Sequence, residues 1–518
     1  MTTLLLRGAS SVDGSPLDVG LRDGRIVSVG GGFRGATREL DLGGLVLAPG
    51  FIDIHTHSDV SLLHDPAGES KVLQGVTTEV VGNCGFSAFP VHPSRRDMLA
   101  DHLSRLGDAR ASLSWKDFDG YAAALDAARP AINVAALVGH SALRIAAMAD
   151  PYGPASPDDI ARMRRLLDAA LAAGAYGMST GLTHTPSALG DTAEVTALVE
   201  ICARHDALYA THARAAAGRE LAAIDEAVET VRAAGARLQF SHLALNDPAY
   251  WGRATDALDR FDTARAEGLD VAFDVYPYDA SSSALIQYLP PWVQAGGSGG
   301  LRANAADHSW RSRALHAVRE GFFGGIPWHW DRVTVTAAGP RGDLNGQTIA
   351  AIALARGEAP ERVMLDLCVE LGDAVQVVLH YRTEADMTAF LAHPLSVVGS
   401  DGNALPLAGA DLTHPRAFGT FPRVLGRYSG MLGLAEAVRK MTLEPARRLG
   451  LTDRGRIAEG AVADLVAFDP DKVMDRATFA DPRRAPAGIA LVMVAGETVV
   501  RDGAVTEARP GKVLRRGR

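Results

Sequence analysis

Two histidines one residue apart, His55 and His57 in GFIDIHTHSD, close an apolar run. In a strand, residues i and i+2 face the same side, so both imidazoles would aim at one point and could chelate one metal ion. An isolated His-x-His is a weak signal. Other apolar runs in the chain end in the same way: Cys84 in VVGNC, His140 in ALVGH, His212 in YATHAR, His242 in FSHL, Asp274 in FDVYPY and Asp401 in VVGSDG. A single histidine at a strand end is more often a hydrogen-bonded structural group than a ligand. Its recurrence at most of the strand ends favours a metal site, and imidazole, thiolate and carboxylate together suit Zn²⁺. Cys84 taken alone reads as a small buried hydrophobe. The three cysteines, at 84, 202 and 368, form no disulfide framework.

The elements that would carry these residues are strand-like runs at 47–54, 78–82, 132–138, 175–178, 207–210, 237–241, 270–275 and 395–399. Helical stretches such as DDIARMRRLLDAALAAG and RELAAIDEAVETVRAAG separate most of them, each ending in glycine as a helix C-terminus does. Strands alternating with helices imply a parallel sheet, and eight of them imply an α/β fold of the (β/α)8 TIM-barrel type. No GxGxxG follows the first strand, which argues against an open doubly wound sheet. In a barrel the active site gathers at the C-terminal ends of the strands, where these residues fall. Residues 1–48 and 451–518 read alike, as short strands punctuated by glycine and Asp-Gly, and predict one small β domain built from both termini. The barrel then spans 49–450. The interval 285–394 is too long for a loop and predicts an insertion between barrel strands seven and eight, part of it a lid over the pocket.

Bulk composition narrows the function classes. With 47% hydrophobic and 22% charged residues the chain is ordinary for a globular protein. A net charge of −9 argues against a nucleic-acid partner, which needs clustered Lys and Arg. No apolar run approaches the ~18 residues of a membrane span, and the start MTTLLLRGASSVDG has too short an apolar core for a signal peptide. Sparse cysteine fits a reducing, cytoplasmic setting.

The motifs carry a resemblance. GFIDIHTHSD, with single histidines on the fifth and sixth strands and aspartate on the eighth, resembles the amidohydrolase superfamily. QGVTTEVVGNCGFS and HPRAFGTFPRVLGRY are similar to its N-acyl-D-amino-acid deacylase (D-aminoacylase) branch. The resemblance implies a barrel flanked by a small β-sandwich. It implies that Cys84, His212 and His242 hold a tight zinc while His55, His57 and Asp401 form a weaker second site. The fourth run, AYGMSTGL, lacks the lysine with which many members of the superfamily bridge two metals, and Cys84 matches the cysteine that replaces it in this branch. The implied substrate is a small-molecule N-acyl-D-amino acid. Asp401 would be the general base and acid, and Arg416, Tyr276 and Ser282 would bind the α-carboxylate.

Departures from the family pattern concern the substrate. SHHK of the relatives is SHLA here, and the lost lysine points away from an acidic side chain such as D-glutamate. His184 in GLTHTPS stands where relatives often have tyrosine and would line the pocket, and His380 and Arg382 in VVLHYRTEADM are atypical. Three readings compete with an N-acyl-D-amino-acid deacylase. One is hydrolysis of another amide, such as a D-residue peptide or a hydantoin-like ring; the second is a non-catalytic metal-binding barrel; the third is a hydrolase with Cys84 as nucleophile.

Overall fold

The computed structural model describes residues 3–107 and 111–517. Eight parallel strands form one sheet in chain order: Phe51–Asp53, Val76–Val81, Asn133–Gly139, Gly177–Gly181, Leu208–His212, Arg237–Phe240, Val271–Val275 and Ser396–Val398. Strands two, three, four and seven are buried at every position, so none shows a solvent-facing polar alternation; the third is an apolar run after Asn133, while the others enclose buried polar groups such as Glu79, Thr180 and Asp274. Just beyond the first and last strands, Thr56 pairs with Gly402, and the Asp401 N–H donates to the His55 carbonyl at 2.8 Å. These contacts close the barrel at its C-terminal rim. Helices between the strands begin where the sequence supplies caps. Over Pro157–Ala173, Ser156 and Asp159 form a capping box with proline in the first turn.

The run at 47–54 is two strands, not one. Val46–Pro49 pairs with Leu465–Phe468 in the terminal sheet, and Phe51–Asp53 enters the barrel. Gly50 makes the change of sheet. Its N–H donates to the Asp464 carbonyl, and a Cβ there would fall 2.3 Å from the Thr77 side chain.

Strands from both termini make one nine-stranded sheet, joined at that pair of strands. It packs a core of its own that includes Leu6, Val19, Leu21, Ile26, Leu465 and Met493. Between barrel strands seven and eight lies the insertion. It holds a three-stranded antiparallel sheet, Ser281–Ala284, Val333–Ala338 and Val375–Leu379, and helices that include His308–Arg319 and Pro360–Leu371. A separate apolar core binds this unit, with Cys368 inside it. Among the described residues no helix is long and apolar enough to cross a membrane.

Candidate active site

The barrel brings the proposed ligands together at its rim. Donor atoms of His55, Cys84, His242 and Asp401 all lie within 4.8 Å of one another. Cys84 Sγ is 3.3 Å from His55 Nε2 and 3.5 Å from His242 Nε2. Asp401 Oδ1 is 3.3 Å from His55 Nε2 and 2.9 Å from His57 Nε2. His212 Nδ1 adjoins His242 Nε2 at 2.9 Å. All six residues therefore form one constellation, with no gap between the two ligand sets that the sequence separates. Three of them sit where the chain turns sharply off its strand in the left-handed region: Cys84 (φ 53°), His242 (φ 36°) and Asp401 (φ 53°). Such residues cost roughly 1–3 kcal/mol each and persist where packing determines them. Beside Cys84, Gly82 passes so close to the third strand that a Cβ would meet the Leu137 carbonyl oxygen at 2.2 Å.

The donor set fits a zinc ion. Ligands held about 2.0–2.3 Å from one tetrahedral ion stand roughly 3.3–3.7 Å apart, and Cys84 Sγ to His55 Nε2 (3.3 Å), Cys84 Sγ to His242 Nε2 (3.5 Å) and His55 Nε2 to Asp401 Oδ1 (3.3 Å) match that spacing within a cluster no wider than 4.8 Å. Burial pushes the Cys84 thiol up to about 11, so a thiolate there requires a compensating cation. Burial also drives His212 and His242 well below the ordinary histidine range, keeping them neutral as ligands must be. Asp401 resists its own burial, because Arg416 and His55 hold its carboxyl well below the usual range.

Two supports have no role assigned to them from the sequence. Asp274 Oδ1 accepts from His55 Nδ1 at 2.9 Å and from the His242 N–H at 2.8 Å, fixing one ring by its side chain and the other by its backbone. His55 Nε2 is thereby turned to the centre. Lys71, fully buried, donates to Asp53 Oδ2 at 2.9 Å, to Ser400 Oγ at 2.7 Å and to the Gly402 carbonyl at 2.8 Å. It ties the first strand to the residues on both sides of Asp401. Asp274 was visible as a charge ending an apolar strand. Lys71 carries no such mark, because its partners are distant in sequence. His140 stays structural: its ring lies between Glu194, at 2.8 Å, and Ser187, at 2.9 Å.

The expected substrate residues share one cavity of about 200 Å³ with His57, Cys84, His212, His242 and Asp401. Arg416 Nη1 donates to Asp401 Oδ2 at 2.6 Å, Nη2 to the Ser282 carbonyl at 3.3 Å, and the guanidinium lies 4.8 Å from the Tyr276 ring centre. The buried Tyr276 hydroxyl has no hydrogen-bond partner among the described residues. His184 packs edge-on to His212 with ring centres 4.4 Å apart. Burial holds it well below its ordinary pKa. His55 lies behind the cavity wall, fully buried.

A (β/α)8 barrel with this donor cluster at its rim has the architecture of a barrel hydrolase. Residues 38–500 match the model of the amidohydrolase family, and the chain belongs to that family, in its N-acyl-D-amino-acid deacylase branch. It is 38% identical to the N-acyl-D-glutamate deacylase of Alcaligenes xylosoxydans xylosoxydans, covering 99% of this chain and 96% of the relative. The structure of the N-acyl-D-glutamate deacylase of Bordetella bronchiseptica, complexed with zinc and a phosphonate mimic of the tetrahedral intermediate, superposes with a TM-score of 0.82 at 36% identity over 99% of both chains. A D-aminoacylase described as having a binuclear metal centre, with one-metal activation and second-metal attenuation, gives 0.83 at 35% identity over 99% of both.

Proposed function

We propose that this enzyme hydrolyses the amide bond of N-acyl-D-amino acids, releasing a carboxylate and a D-amino acid. The observation that carries the reading is the meeting of a thiol, four imidazoles and a carboxylate at the wall of a cavity that also presents a buried guanidinium. Cys84, His212 and His242 would hold the tight zinc, with His55, His57 and Asp401 the weaker second site. When bound, the ion supplies a Lewis acid for the amide carbonyl and acidifies a water molecule.

The chain's own residues do the rest. Asp401 takes the proton of the attacking water and returns it to the leaving nitrogen, a base-then-acid role. Its Oδ1 faces His57 and His55 while Oδ2 faces Arg416, so the carboxylate spans the ligand cluster and the substrate side. Arg416 offers its remaining N–H groups to the α-carboxylate as a planar fork. Tyr276 adds its unpartnered hydroxyl, Ser282 borders the same spot, and neutral His184 lines the wall. The amino acid would be small and freely diffusing, and three unpaired cysteines suit a cytoplasmic setting.

Metal analysis tests the reading. Purified enzyme should carry about one tightly held zinc per chain and lose it, with activity, in Cys84→Ala. Active enzyme free of metal, or full activity in that variant, would contradict it.

A further inference from the structure

Four arginines line the cavity: Arg105, Arg382, Arg416 and Arg483. Three are engaged. Arg105 pairs with Asp373 at 2.9 Å and donates to the Thr185 carbonyl at 3.0 Å. Arg416 pairs with Asp401. Arg483 donates to the carbonyls of Pro406 at 2.7 Å and Asp411 at 3.1 Å. Arg382 differs. Its Nε–H donates to Asn246 Oδ1 at 3.1 Å and its guanidinium lies 4.7 Å from the Tyr276 ring centre. Among the described residues no carboxylate pairs with it and neither Nη group has a protein acceptor. One aromatic ring is thus approached by two guanidiniums, and only one of them has an anion. A half-buried guanidinium that opens its fork into a cavity is placed to receive an anion bidentately.

We propose that Arg382 is the side-chain receptor of this pocket and selects N-acyl-D-amino acids whose side chain ends in a carboxylate. The inference rests on the function proposed above and names its substrate class: Arg416 takes the α-carboxylate, and Arg382 takes the second one.

The receptor is held from two sides. Asn246, which fixes Nε, is itself anchored by its backbone N–H to Glu220 Oε1 at 2.7 Å. Next to Arg382, Tyr381 is buried and its hydroxyl donates to the Pro327 carbonyl at 3.0 Å. Two departures of the sequence from its family pattern therefore meet in space. The segment SHLALND brings no lysine but supplies Asn246, and the insertion supplies the cation. The proposed preference runs opposite to the expectation drawn from the lost lysine, because the charge is brought from a different element.

The test compares kcat/KM of the zinc-loaded enzyme on N-acetyl-D-glutamate, N-acetyl-D-aspartate and N-acetyl-D-methionine, in the unmodified chain, Arg382→Met and Arg382→Lys. The unmodified enzyme should prefer an acidic substrate. In Arg382→Met the acidic-to-neutral ratio should fall about 100-fold, mainly through KM, the scale of a lost bidentate charged pair. Arg382→Lys, which keeps the charge and loses the fork, should fall between and decides the matter if the methionine variant does not fold. Preference for the neutral substrate in the unmodified chain, or a ratio untouched by either substitution, overturns the inference while leaving the deacylase reading in place. Failure to cleave any of the three substrates overturns the deacylase reading itself.

Discussion

Asp401 is the residue on which the chemistry turns. Its carboxylate touches His57, His55 and Arg416 at once, so the group proposed as ligand and base also has an electrostatic partner. Asp401→Asn keeps the shape and an oxygen donor but cannot accept the water's proton. Turnover should fall on the order of 10²–10⁴-fold while zinc stays bound through Cys84, His212 and His242. Assays of metal content and initial rate on the same sample check this, and near-full activity would reduce Asp401 to a ligand. Cys84 shows how far single residues are legible. Its place after an apolar run and before a glycine was readable, as was its likeness to the branch's ligand cysteine. Its left-handed backbone was not, because φ at a non-glycine residue follows from packing against neighbouring strands.

At the level of elements, the rim is held by ties between strands far apart in sequence. Lys71 is the clearest. Replacing it with methionine removes the cation that faces Asp53, Ser400 and Gly402 and leaves the buried Asp53 charge with only the hydrogen bonds of Ser400. Breaking such a pair from one side costs about 3–5 kcal/mol. Lys71→Met should lower denaturant stability by that amount, and a stability unchanged in chemical denaturation would refute the role. The eight barrel strands were legible as apolar runs because both of their faces are covered. Their edges were less so: the 47–54 run hid a change of sheet at Gly50, which depends on Asp464 and Thr77 rather than on local sequence.

Across the whole molecule, the terminal sheet and the insertion were legible as units, the first from the likeness of the two ends and the second from its length. What each contributes to the site was not. The insertion delivers Arg382 and Tyr381, with Tyr288, Phe322 and Leu379, to a cavity whose other side is formed by His57, Cys84, His212, His242 and Asp401 at the barrel rim, a juxtaposition that only the three-dimensional fold reveals. Stereochemistry belongs to this scale as well. In the proposed binding mode, with the α-carboxylate on Arg416 and the amide at the ligand cluster, the two enantiomers would direct their side chains differently, and the D series is the one expected to fit. The most direct measurement is hydrolysis of paired N-acetyl-D- and N-acetyl-L-amino acids, with and without a chelator. Cleavage confined to the D series and abolished by chelation, then restored by zinc, is the predicted result. Cleavage of the L series at a comparable rate, or D-series activity that survives chelation, would contradict it.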